Sequence, residues 1–295
     1  MSPARTLSPG QLCRIFVMDV ATGQSVLVLE TVDRLYEAPN WSASGELILN
    51  GDGLLWQLLP VPGARPVSIP IHGIPDLNND HVLGPDGATV YASANDRHIY
   101  SAPLAGGTAT RITPADSKAM HFLHGVSPDG STLAYISLEP TGESGWGAGS
   151  VHTIGADGTK DTAITDGSAH ADGSEYSPDG QWIYFNTEQF SEAPGHAQIA
   201  RMHPDGSDLE QLTFDERVNW FPHLSPDGTA AYFLSFPSGT TGHPANLPVE
   251  IRFVHGNDWA NAVTVASVLG GQGTINVNGW APDSARFAYV EYPIS

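Results

Sequence analysis

The sequence predicts an all-β chain folded as a six-bladed β-propeller, with four-stranded antiparallel blades. Three observations predict it. A tight turn recurs six times, a second hairpin follows five of those turns, and a hairpin with no partner stands at the opposite end of the chain.

The turn is clearest at Ser225-Pro226-Asp227-Gly228. Proline presets φ at the second position, aspartate bonds its own backbone, and glycine accepts the left-handed conformation that closes the turn. Near-copies end at positions 45, 87, 130, 180, 228 and 284, separated by 42, 43, 50, 48 and 56 residues. The first lacks the proline and aspartate, and the last has Ser284 in place of glycine.

Each turn is followed by a β-rich run such as "STLAYIS", "QWIYFN" or "AAYFLS". Each is preceded by a short segment that ends on an apolar or aromatic residue. The turn therefore joins two antiparallel strands, a and b. A second pair, c and d, follows around a glycine turn, as in "IARMHPDGSDLEQLT". The sixth unit stops after its b strand, whereas "RIFVMDVATGQSVLVLE" near the start is a c–d pair with no a–b pair before it. The two halves complete one another if the chain closes into a ring, which also removes the free edges an open array would have to cap. The blades are expected at 35–71, 77–114, 120–166, 170–214 and 218–270, and the sixth from 271–295 plus 12–31, within one domain of 295 residues.

Composition narrows the function classes. Gly (32) and Pro (23) are frequent and only 15% of residues are charged, which suits strands and turns. Twelve basic against 32 acidic residues give a net charge of −20, and such a surface repels nucleic acid and anionic lipid. No apolar run approaches a membrane span or a secretory leader, so no membrane insertion and a cytoplasmic location are expected. Cys13 stands alone and reads as a small buried residue on a strand. A closed ring protects its edges, so a monomer is expected.

The "SPDG" turns after an aromatic residue, b strands like "WIYFN", the pair "IARMHPDGSDLEQLT" and the run "GGQGTINVNGWAPDSARFAYVEY" resemble the repeats of the TolB-like propellers over nearly the whole chain. The same repeat occurs in prolyl-oligopeptidase propellers and resembles that of oligogalacturonate lyases. The resemblance implies the scaffold and a role in binding a protein, peptide or small ligand. TolB itself is periplasmic, which makes the periplasm the alternative location. It also carries an α/β domain ahead of its propeller, whereas here the first hairpin already begins near Arg14.

Chain direction puts the a–b and c–d turns on one face and the b–c and d–a connections on the other. The b–c connections lengthen at 139–150, 188–198 and 237–248, and long loops on one rim of a rigid scaffold commonly carry function. The a strands begin on that rim beside the channel. Their starts contribute Glu37, Asn79, Asp80, His81, His121, His124, His170, Asp172, Glu175, Asn219, His223, Asn276 and Asn278. This set reads in three ways. It is a solvated channel mouth; or a ligand pocket, with Trp146 and Trp220 as stacking surfaces; or a metal site, with His121, His170 and His223 holding Mn or Zn. The first two need no cofactor. By the resemblance to oligogalacturonate lyases, the third implies a metal-dependent lyase or hydrolase acting on saccharides, with His124 as a base. No G-x-S-x-G, P-loop, H-E-x-x-H or dinucleotide motif is present, so a non-catalytic binding protein is the preferred reading.

Overall fold

The computed structural model describes residues 4–142 and 145–294. Residues 143 and 144, in the expected loop 139–150, lie outside the described residues, as do positions 1–3 and 295 at the two ends. Six antiparallel sheets follow one another around a central channel. The inner a strands of the first five are Glu37–Trp41, Leu77–Leu83, Met120–Val126, Ala171–Tyr176 and Val218–Leu224. Each pairs with a b strand, then with a c strand, then with an outer d strand. In the fifth blade these are Ala230–Phe236, Leu247–His255 and Val263–Gly270. In the other four the d strand is only two residues long.

The sixth sheet closes the ring as the half-units require. Cys13–Asp19 lies between Gln24–Thr31 and the C-terminal strand Arg286–Glu291, with Phe16 opposite Tyr289 and Val17 opposite Ala288. Its innermost segment departs from a regular strand. It meets the sheet through one bridge, Trp280 to Phe287, and through amide bonds from Ala288 to Gly279 and from Val290 to Thr274. The reason is local. Gly271 and Gly273 both have positive φ, and the Asn276 Oδ1 accepts the Gly273 amide, so the chain coils before it can extend.

Alternation along the strands builds the core. In the first blade Leu47 and Leu49 face back toward the closing blade, while Ile48 faces forward toward the second. Repeated around the ring, this gives six buried clusters, one between each pair of neighbouring blades. The cluster between the fifth and closing blades holds Trp220, Phe221, Tyr232, Phe236, Trp280 and Phe287. Cys13 is fully buried between the closing and first blades, and burial pushes its thiol up to about 12. Among the described residues no helix is long and apolar enough to cross a membrane.

The a strands are not straight. Each of the five pairs with its neighbour through a register shift. In three of them a residue beside the shift takes positive φ: Ala38, Gly173 and Phe221. At Gly173 a side chain is disfavoured by φ +66°, and a Cβ would also crowd the Phe221 ring at 3.2 Å. These bulges bend the strands where the upper half of the channel opens.

A cavity at the channel mouth

Two mouths open onto the channel, and the sequence-predicted residues divide between them. Asn79, His124, His170, Asp172 and Asn276 line a cavity of about 480 Å³ on the face of the b–c and d–a connections, together with Asp80. Glu175 and Asn278 reach the opposite mouth, a depression of about 490 Å³. It is ringed by the turn prolines Pro85, Pro128, Pro178, Pro226 and Pro282. The expectation that all the candidates share one rim is corrected here. An a strand advances about 3.3 Å per residue, so its last residues have crossed the channel.

The remaining candidates have structural partners. His223 Nδ1 lies 2.7 Å from Glu175 Oε2 and its Nε2 2.6 Å from the Ile275 carbonyl. Glu175 Oε1 also accepts the Leu224 amide and the Asn278 amide group, so this cluster ties the fourth, fifth and closing blades together. Asn219 is fully buried among Gln198, Thr213, Asp215 and Ser235. His81 faces the Ile48 carbonyl, and burial lowers it to about 4, which keeps the ring neutral. His121 is bonded by Ser117 and the Arg97 carbonyl and borders a separate hollow with Trp146. Glu37 is paired with Arg5, from the segment ahead of the first strand. His121, His170 and His223 therefore occupy three separate environments. Among the described residues no group of three or more His, Cys, Asp or Glu is arranged to hold a metal.

The cavity itself is built from four blades and two loops. Phe122, Leu138, Trp220, Phe221 and Pro244 supply its apolar wall. Phe221 belongs there because its φ of +55° reverses the usual alternation, so that Trp220 and Phe221 both border the cavity. Asn186 Oδ1 secures the turned backbone by accepting the Phe221 amide. His243 enters from the long loop 237–248 and packs 4.6 Å from the Trp220 ring and 5.1 Å from Phe221. Sequence reasoning singled out that loop but not His243 or Gln272, whose only signal was a polar residue inside a glycine-rich connection.

The floor is ionisable. Asp172 Oδ1 lies 2.8 Å from His124 Nε2 and accepts the Gly173 amide, and Oδ2 lies 3.6 Å from His243 Nε2. Burial opposes charge on both partners, but the bond between them wins. Asp172 is held well below the usual carboxylate range, while Asp80 and Asp172 together raise His124 to about 9. Burial lowers His243, leaving it neutral near pH 7. His170 Nδ1 accepts the Gly149 amide, so that nitrogen carries no proton. Asp80 is the odd member. It is 4% exposed, and among the described residues its carboxylate accepts a hydrogen bond only from Asn78. Burial raises it to about 7, against the opposing pull of His124.

Of the buried nitrogens around the cavity, Asn79 Nδ2, His124 Nδ1 and His243 Nδ1 fall short of ideal hydrogen-bond geometry while their side chains interact with Glu37, the Asn276 backbone and Gln272, and Trp220 Nε1 makes no hydrogen bond among the described residues. A buried polar group left without a hydrogen bond costs about 1–3 kcal/mol.

Fold and channel together define a closed six-bladed propeller with a ligand-sized recess at one mouth. No family model matches the chain. It is 35% identical over 284 residues to a protein of Agrobacterium fabrum (strain C58 / ATCC 33970) named only as uncharacterized protein Atu1656, covering 94% of this chain and 92% of that protein. A solved structure described as "putative TolB from Agrobacterium tumefaciens" is 33% identical with a TM-score of 0.85, covering 96% of this chain and 99% of that one. TolB from Acinetobacter baumannii matches with a TM-score of 0.52 at 17% identity, over 88% of this chain and 53% of that one, a likeness of fold alone. The chain belongs to the TolB-like β-propeller family.

Proposed function

We propose that this propeller is a non-catalytic binding scaffold that takes a small ligand, or a side chain or terminus of a peptide or protein, in the cavity bounded by Trp220, His243 and Asp80. One observation carries the reading. A recess of about 480 Å³, within the range of small-molecule sites, combines an aromatic wall of Phe122, Trp220 and Phe221 with a buried ionisable floor of Asp80, His124 and Asp172. Nothing in the cluster pairs a nucleophile with a base, and Asp172 and His124 already satisfy one another.

The test is a fragment screen by saturation-transfer NMR on the wild-type chain and on Leu138→Trp. Leu138 lines the cavity from the end of a b strand, and a tryptophan there would fill it. Fragments that bind wild type and are lost in Leu138→Trp support the reading. Hits that persist in the variant, or a screen with none, contradict it.

A further inference from the structure

The cavity has a charge deficit, and the deficit indicates what it binds. Three buried carboxyl groups surround it or border it: Asp80, Asp172 and Glu37. Two cations answer them. His124 pairs with Asp172, and Arg5 pairs with Glu37. Among the described residues Asp80 makes no close ion pair: it accepts from the neutral amide of Asn78 and shares the charge of His124, which is bonded to Asp172. Neither of the other imidazoles pairs with Asp80: burial lowers His243, whose Nε2 faces Asp172, and His170 Nδ1 accepts the Gly149 amide. A buried carboxylate without a partner is costly, and a cation delivered to it gains in proportion. The surroundings favour such a visitor. Phe122, Trp220 and Phe221 present aromatic surface, and a net charge of −20 draws cations toward the molecule.

We infer that the cavity binds a ligand carrying a protonated amine on an apolar body, with the ammonium group paired to Asp80 and the body against Phe122, Trp220 and Phe221. This rests on the reading of the cavity as a binding site. Binding is coupled to Asp80 ionisation, because the ammonium needs the carboxylate. Near pH 7 Asp80 gives up a proton as the amine enters. His124 and Asp172 are bonded to one another and burial lowers His243; burial also raises Glu37, which faces Arg5, so Asp80→Asn identifies which carboxyl releases the proton.

Three probes share one body and differ in charge: phenethylamine, 2-phenylethanol and 3-phenylpropionate. Calorimetric titration of the full chain at pH 8 should show the amine binding at least about tenfold more tightly than the other two. Its affinity should rise about tenfold from pH 6 to pH 8, with proton release detected as a buffer-dependent heat. In Asp80→Asn, which keeps the shape and removes the charge, the preference for the amine should vanish. The pH series on wild type stands by itself if that variant does not fold. Tighter binding of the alcohol or the carboxylate, or amine affinity unchanged from pH 6 to pH 8, would overturn the amine assignment while leaving the cavity a binding site. No binding by any of the three, or binding untouched by Leu138→Trp, would overturn both.

Discussion

The two halves of the channel are made from the same strands, yet they treat buried charge in opposite ways. In the lower half Glu175 accepts from Leu224 and Asn278 and sits against His223, whose other nitrogen faces a carbonyl. Both carboxylate oxygens are used, and three blades are joined. In the upper half Asp80 accepts one hydrogen bond, from a neutral amide, and Trp220 Nε1 makes none among the described residues. Buried polar groups that are fully bonded fix a structure, and those left open mark where something else is to bind. The difference separates a clamp from a site within one bore.

Breaking the clamp should have the largest effect. Glu175→Ala leaves His223, Leu224 and Asn278 without their acceptor and should cost about 3–5 kcal/mol in a urea melt. A loss below about 1 kcal/mol would mean that the blades do not depend on this contact. Next comes alkaline pH. His124 is raised from its ordinary value to about 9, so its contribution is complete below about pH 6.5 and is lost as pH rises through 9. Stability should fall by an amount on the order of 3 kcal/mol over that window. An unchanged stability from pH 6.5 to pH 9 would contradict a charged His124.

Asp80→Asn sharpens the contrast because its sign is reversed. A carboxyl raised by burial contributes below its unfolded pKa and loses that contribution as pH rises to about 7. Removing it should therefore stabilise the protein at pH 8, by about 1–2 kcal/mol once coupling to His124 is counted. The alkaline limb should then move to lower pH, since Asp80 is part of what holds His124 up. The smallest effect lies in the turns. Asp227→Ala removes an acceptor for Ser225, the Thr229 amide and the Thr229 hydroxyl at an exposed site, and should cost about 1 kcal/mol at neutral pH without moving the alkaline limb.

The architecture was legible because it is written locally. Proline, aspartate and glycine specify each turn within four residues, and the surplus hairpin at Arg14–Glu30 matches the deficit after Tyr292. The candidate site was legible only in part. The strand starts were found, but which residues face which mouth depends on bulges at Ala38, Gly173 and Phe221. Ala38 and Phe221 give no local sign of positive φ, because the strain is imposed by packing against neighbouring blades. His243 and Arg5 were missed for another reason. Each arrives from a segment outside the repeat, so no periodicity points to it. Nor does a carboxylate announce its missing partner. Asp80 and Asp172 look alike in sequence, and only the fold bonds the imidazole to one of them and leaves the other to share its charge from farther off.

A ¹³C NMR titration of the Asp80 carboxyl reads that distinction directly. A midpoint near pH 7, moving down when phenethylamine is added, is the result expected for a buried carboxylate awaiting a cation. A midpoint near pH 4, indifferent to the amine, would show Asp80 to be already solvated or paired, and the upper channel would have no vacancy for charge to fill.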